Sequence, residues 1–281
     1  MRNDLAVFIL THGRANEQKT LETLSKSGYS GKVYLVIDDE DMQKALYEQL
    51  YGEQVLIFSK REIEPQCDTF TNQEEWRTVM YARNKAYELA RDLGLRYVLI
   101  CDDDISRFTF RYEDGGSLRG ASITDFDSLL NKMADCMEAG HISIFGFSQS
   151  GAFFGGLGSD KWKKGCQRTC SQAMMIDAED QIPWRGIFGE DLHVSLDAGN
   201  MGKTVLSTMM VSIESPERTT NKGGLHDLYA SSNSYTTFFY SVIAFPSIVK
   251  LYCSKGEVKL RIRQDGVAPM IISSKYKRGS I

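Results

Sequence analysis

No stretch of this chain is long and apolar enough to cross a bilayer as a helix. The longest late apolar run, Phe238 to Val249, is interrupted by Ser241, Pro246 and Ser247, and a span needs about 20 apolar residues. The apolar run near the N-terminus, Leu5 to Leu10, is too short for a secretory signal and has no small-residue cleavage site behind it. A basic excess is missing too: the net charge is −4, so any polyanion-binding surface must be local. The six cysteines are scattered, and only Cys166 and Cys170 have a spacing that suits a metal, with no second Cys or His pair nearby. Reduced thiols in a reducing compartment are therefore expected. These absences point to a soluble cytoplasmic protein with no membrane span.

Several motifs that would redirect the argument are also lacking. Gly202-Lys203-Thr204 resembles the end of a phosphate loop, but Asp197 stands where its first glycine is required, and a strand follows instead of a helix. Gly146-Phe147-Ser148-Gln149-Ser150 fails the serine-hydrolase elbow at its last position. No Gly-x-Gly-x-x-Gly follows the first strand, which removes the dinucleotide fingerprint. Internal repeats, low-complexity tracts and linkers are absent as well. A single domain over 1–281 is expected, with its two halves at 1–108 and 109–281.

What is present is an alternation of strands and helices. Leu5–Leu10, Val33–Ile37, Val55–Phe58 and Tyr97–Cys101 are continuous apolar runs of buried-strand length. Helical spacing separates them over 16–27, 42–50 and 74–93, with Gly28 and Gly94 as stop signals. This order predicts an α/β fold, a mostly parallel sheet with helices on both faces. The second half is less regular: helices over 125–139 and 191–198, strands over 142–147, 172–176 and 204–213, a flexible Gly-rich loop over 151–165, and a hairpin over 248–263 turning at 254–256. In such sheets ligands bind outside the carboxyl ends of the strands. Three polar clusters occupy three such ends: Thr11-His12-Gly13-Arg14, Asp38-Asp39-Glu40-Asp41 and Asp102-Asp103-Asp104.

Three adjacent carboxylates at the end of a buried strand repel one another unless a cation compensates. Mg²⁺ and Mn²⁺ take carboxylate and phosphate oxygens and bridge protein to a substrate phosphate. The alternative is that the aspartates only cap the following turn; three together favour the cation. Glu190-Asp191 at a helix start is open to two readings, helix capping or catalysis. The aromatic, Gly-rich approach Trp184-Arg185-Gly186-Ile187-Phe188-Gly189 favours the second, with Trp184 and Arg185 as acceptor contacts.

Ala82-Arg83-Asn84-Lys85-Ala86 on a helix, followed by Tyr97-Val98-Leu99-Ile100-Cys101-Asp102-Asp103-Asp104, resembles the central stretch of the GT-A glycosyltransferases. The loop Thr11–Arg14, the strand end Val36-Ile37-Asp38-Asp39 and the motif Gly189-Glu190-Asp191-Leu192 resemble further parts of that superfamily in the same order, over roughly the first two hundred residues. The resemblance implies a GT-A, Rossmann-like fold and a nucleotide-sugar donor, most simply a UDP-sugar. It further implies that Thr11, His12, Arg14, Asp38, Asp39, Arg83, Asp102 and Asp103 line the nucleotide sugar, Arg83 otherwise being an ordinary helix-surface arginine. Asp102 and Asp104 would hold Mn²⁺ or Mg²⁺, with His226 completing the site. Asp191, with Glu190 beside it, would be the general base of an inverting transfer.

For the acceptor, size and motif style resemble the phage-type, TET- or hydroxylase-associated glycosyltransferases that decorate hydroxymethylated pyrimidines in DNA. Lys161-Trp162-Lys163-Lys164 with Arg168 places a tryptophan among cations, suited to phosphates and a stacked base. Lys259, Arg261 and Arg263 share one strand face, either as a second phosphate contact or as a charged edge. A polysaccharide or small-molecule acceptor remains open. A nucleotidyltransferase-like protein is the less favoured alternative, because Thr11-His12-Gly13-Arg14-Ala15 is too poor in glycine for its phosphate loop.

Overall fold

The computed structural model describes residues 1–70, 76, 78–167, 169, 172–215, 235–254 and 256–263. Its strands are β1 (Leu5–Leu10), β2 (Lys32–Asp38), β3 (Val55–Phe58), β4 (Tyr97–Asp102), β5 (Arg107–Asp114), β6 (Ser117–Ser122), β7 (Ile144–Gln149), β8 (Ala173–Asp177), β9 (Val205–Glu214), β10 (Val249–Ser254) and β11 (Glu257–Ile262). The helices are α1 (Lys19–Lys26), α2 (Lys44–Tyr51), α3 (Lys60–Ile63), α4 (Met80–Asp92), α5 (Phe126–Gly140), α6 (Asp160–Lys164), α7 (Glu190–Asn200) and α8 (Tyr235–Ala244).

Nine strands form one sheet in the order β3-β2-β1-β4-β8-β7-β9-β5-β6. The pairings β3-β2, β2-β1 and β1-β4 are parallel. β8 enters antiparallel between β4 and β7, and β9 lies parallel to β7. The carboxyl ends of β1, β2, β4, β7 and β9 consequently share one edge.

β1 and β4 are buried on both faces because alternate residues enter different cores. Leu5, Val7, Ile9, Leu99 and Cys101 pack with Phe126, Leu130 and Met137 of α5. Ala6, Phe8, Val98 and Ile100 pack with Met80, Tyr87 and Ala90 of α4 and Val194 of α7. α4 and α7 therefore lie together on one face of the sheet, close to the end of β4.

The local signals hold at several ends. Asp125 caps α5 by accepting a hydrogen bond from the Ser128 amide at 3.0 Å. Gly28 follows α1 with φ +79, and a Cβ there would collide with the Thr124 carbonyl oxygen. Other expectations need correction. β5 and β6 form a hairpin around Gly115-Gly116, both with positive φ, a two-residue turn of a favoured type. Their residues are mostly exposed, so the hydrophobic pattern did not announce them. The stretch 151–165 is not one open loop, since it contains α6, capped by Ser159. Of the helix expected over 74–93, residues 71–75 and 77 lie outside the described residues, and α4 begins at Met80.

Candidate active site

β4 delivers the three aspartates to the shared carboxyl edge, and α1 clamps the turn they make. Thr20 Oγ1 donates to the Asp102 carbonyl at 2.6 Å and its amide donates to the Asp103 carbonyl at 3.0 Å. The Ile105 amide then donates back to Thr20 Oγ1 at 2.9 Å. The carboxylates diverge from this turn. Asp103 is buried and faces the β1 loop, accepting from Thr11 Oγ1 at 2.7 Å and from Arg14 at 2.6 Å. It joins β1 to β4, and burial nonetheless pushes its carboxyl upward. Asp102 lies with Oδ1 3.5 Å from Arg83 Nη2. Burial pushes its carboxyl up to about 7, against the pull of Arg83.

Arg83 is the centre of the arrangement. It projects from α4, is 3% exposed, and its Nη1 donates to Glu190 Oε1 at 2.8 Å. One guanidinium thus joins Asp102, at the end of β4, to Glu190, at the start of α7. Gly189, with φ +67, makes the bend that starts α7. Asp191 follows, with Oδ1 accepting from the Leu192 amide at 2.8 Å. Arg83 is a buried bridge instead of a helix-surface charge. Trp184 requires correction: it is fully buried, with the Arg83 guanidinium 5.0 Å over its ring. Asn84 holds its backbone at both the amide and the carbonyl. The ring has no free face for an acceptor.

The acidic end of β2 is built differently from its sequence impression. Asp38 is buried and accepts from His12 Nδ1 at 2.7 Å and Lys60 Nζ at 3.0 Å. Burial raises its carboxyl, but those two hydrogen bonds outweigh it and leave it at about 2. The same contact raises the His12 imidazole. Asp41 accepts from the Gly13 and Gln43 amides, so the β1 loop is tied down, while Asp39 and Glu40 stay exposed, Glu40 pairing with Arg61. Lys60, Tyr47 and Gln18, none of them singled out by the sequence, complete the support. The Tyr47 hydroxyl accepts from the Arg14 amide at 3.0 Å, and Gln18 donates to Thr11 Oγ1.

The expected acceptor cations separate. Lys161 is turned inward and buried, donating to Ser207 Oγ at 2.6 Å; it is not a surface cation, which corrects its assignment as a phosphate contact. Lys163 and Lys164 are exposed, with Lys164 paired to Asp160 at 3.0 Å, and Trp162 is partly buried. Arg185 is held by Asp68 at 2.7 Å and Asp197 at 3.0 Å. His226 and Arg168 lie outside the described residues. A polar cavity of about 390 Å³, lined in part by Lys19, Ser106, Gln149, Ser150 and Glu214, opens beside the aspartate turn. No sequence motif marks it, because its walls come from α1, β7 and β9 together.

Among the described residues no three His, Cys, Asp or Glu side chains are grouped to hold a metal. The donor chemistry still fits a hard divalent cation shared with a diphosphate, which needs only one or two carboxylates from the protein. Asp102, destabilised as an anion by burial and by Asp103 and Asp104 nearby, is where added positive charge is favourable.

A family model described as TET-Associated Glycosyltransferase matches residues 5–224. No curated protein matches the sequence significantly. Among solved structures, glucosyl-3-phosphoglycerate synthase from Mycobacterium tuberculosis, crystallised with Mg²⁺ and UDP, is similar at 11% identity with a TM-score of 0.46. That alignment covers 92% of this chain and 87% of the other. A mannosyltransferase from Pyrobaculum calidifontis, in complex with GDP-Man and Mn²⁺, is similar at 13% identity over 87% of this chain and 65% of its own, with a TM-score of 0.48. Residues 1–349 of S. aureus TarS are similar at 11% identity over 85% and 65%, with a TM-score of 0.44.

Proposed function

The chain belongs to the TET-associated glycosyltransferase family, and we propose that it transfers a sugar from a UDP-sugar to the hydroxyl of a 5-hydroxymethylpyrimidine in DNA. The observation that carries this reading is the meeting of Asp102 and Glu190 on the single guanidinium of Arg83. It brings the aspartate turn and the acidic start of α7 into one crevice, as a one-step transfer between donor and acceptor requires.

In this mechanism Asp102 and Asp104 would hold a Mg²⁺ or Mn²⁺ ion, and that ion would supply positive charge against the departing nucleoside diphosphate. The β1 loop, anchored through Asp38 and Asp41, lines the nucleoside. Asp39, exposed at the end of β2, supplies its remaining acceptor. Glu190 is committed to Arg83, which leaves Asp191 to take the proton from the acceptor hydroxyl. General bases contribute typically 10²–10⁴-fold. Attack at the anomeric carbon breaks its bond to the diphosphate oxygen, and the configuration inverts. The polar cavity beside the turn is large enough for the hydroxymethylated base, which has to be flipped out of a duplex to reach it.

The test is a transfer assay with a panel of nucleotide sugars and Mn²⁺ on duplexes carrying hydroxymethylcytosine or hydroxymethyluracil, alongside free sugars. Labelled DNA from a UDP-sugar is expected, and Asp191→Asn should lower turnover at least about a hundredfold with donor affinity near wild type. Transfer to free sugars with blank DNA would remove the DNA acceptor. An Asp191→Asn protein that turns over normally but binds donor poorly would remove the base assignment.

A further inference from the structure

The charge of this chain is unevenly distributed. Residues 250–281 contain eight Lys or Arg and only two acids, Glu257 and Asp265, although the whole chain carries −4. The described part of this stretch is the β10-β11 hairpin. Its register sets Lys250 opposite Arg261, Tyr252 opposite Lys259 and Ser254 opposite Glu257, so these six residues share one face, and alternation adds Arg263 to it. The other face is apolar: Val249, Leu260 and Ile262 pack with Leu192 and Leu196 of α7 and with Phe245. The cationic face is therefore turned away from the protein, on a ribbon seated against the helix that begins at Glu190.

We propose that this face binds the phosphate backbone of nucleic acid and holds a DNA acceptor against the active site. Like charges directly opposite each other across two strands are destabilising, and Lys250 against Arg261 is such a pair; an anion between them removes the penalty. Charges that only protect a sheet edge from aggregation need not share a sign, whereas this face sets four cations, Lys250, Lys259, Arg261 and Arg263, against one acid in the register, Glu257. Lys250, Tyr252 and Arg261 are exposed, with the Arg261 guanidinium 5.2 Å over the Tyr252 ring. An aromatic ring among cations is the surface that takes phosphates and a stacked base together. Successive cations along β11 lie about 6.8 Å apart, far enough for each to meet a different phosphate. The inward turn of Lys161 strengthens the assignment, since the 161–164 segment then offers fewer free cations than its sequence promised.

The proposal rests on DNA being the acceptor, and its test is chosen to separate the two. Binding of the full chain to an ordinary, unmodified duplex is followed by fluorescence anisotropy across a salt series. Replacing Lys259, Arg261 and Arg263 together by Ala should weaken binding at least about tenfold and reduce the salt slope by about three, near 0.9 for each phosphate no longer neutralised. The double variant Lys250→Gln/Arg261→Gln guards against misfolding as an explanation. It should melt no lower than wild type at low salt, because it removes a repulsion, and yet bind duplex more weakly. Wild-type protein without salt-dependent duplex binding, or variants that bind as wild type does, would overturn the inference. So would tighter binding to anionic phospholipid vesicles that disappears in the same variants. If the variants lose duplex binding while wild type transfers no sugar to modified DNA, the hairpin assignment stands and the acceptor reading falls. If the variants glycosylate modified DNA as well as wild type at every salt concentration, the acceptor reading stands and the hairpin assignment falls.

Discussion

Lys161 shows how little residue type alone says about placement. By composition it belongs to a cationic surface run, but its ammonium is buried beside Ser207, and burial lowers its pKa to about 8 from a lysine's usual 10.5. The protonated form is thus less favourable in the folded than in the unfolded chain. Below pH 8 this penalty is fully present, and it fades as the pH rises from about 8 to 10.5, because the unfolded state then binds more protons. Relative to Lys161→Met, wild type should gain stability across that window, by up to about 3 kcal/mol. Urea unfolding of both proteins at several pH values checks this. A difference that does not change between pH 7.5 and 10.5 would show that the ammonium is solvated. Arg83 teaches the converse, since a residue expected to line the nucleotide sugar, or else to be an ordinary helix-surface charge, is a buried link between two carboxylates.

At the scale of elements, the junction of α1 with the segment before α5 depends on one backbone. Gly28 has φ +79, and a Cβ there would meet the Thr124 carbonyl oxygen. Gly28→Ala is therefore expected to lower stability by at least about 2 kcal/mol, combining positive-φ strain with overpacking. The midpoint of chemical denaturation should fall while the slope is retained, and a variant as stable as wild type would refute the close approach. Legibility also varied with element. β1 and β3 run over the spans that their apolar character predicted, and α5 starts one residue after the expected helix, with Asp125 as its cap. The β5-β6 hairpin escaped notice because most of its residues face solvent, leaving only the Gly115-Gly116 turn as a signal. The antiparallel entry of β8 between β4 and β7 was equally hidden, because an apolar run of strand length does not state its direction.

For the molecule as a whole, the carboxylates gathered at the sheet edge predict metal-assisted donor binding. Asp102, Asp103 and Asp104 repel a diphosphate unless a cation intervenes. Calorimetry should find UDP bound weakly in chelator and at least about tenfold more tightly with Mn²⁺ or Mg²⁺. Asp104→Asn should remove that gain and leave the melting temperature close to wild type. Equal affinity with and without metal would sink the bridging role. The distribution of charge works at the same scale: an acidic body disfavours indiscriminate binding of polyanions, and the proposed contact is confined to the C-terminal hairpin face.

The sequence by itself determined the α/β alternation, the strands buried on both faces and the two acidic motifs, because apolar period and strand-end chemistry are local properties. It also determined that the aspartate triplet lies at a strand end and the Glu190-Asp191 pair at a helix start. Only the tertiary structure decided which carboxylate does what. Asp103 is taken by Thr11 and Arg14, Asp102 and Glu190 share Arg83, and Asp38 is neutralised by His12 and Lys60. It also decided that Lys161 points inward and that Lys250 joins Arg261 on one face. Each of these depends on pairing between segments distant in the chain, and periodicity specifies the face a residue takes but not the partner that packing brings to it.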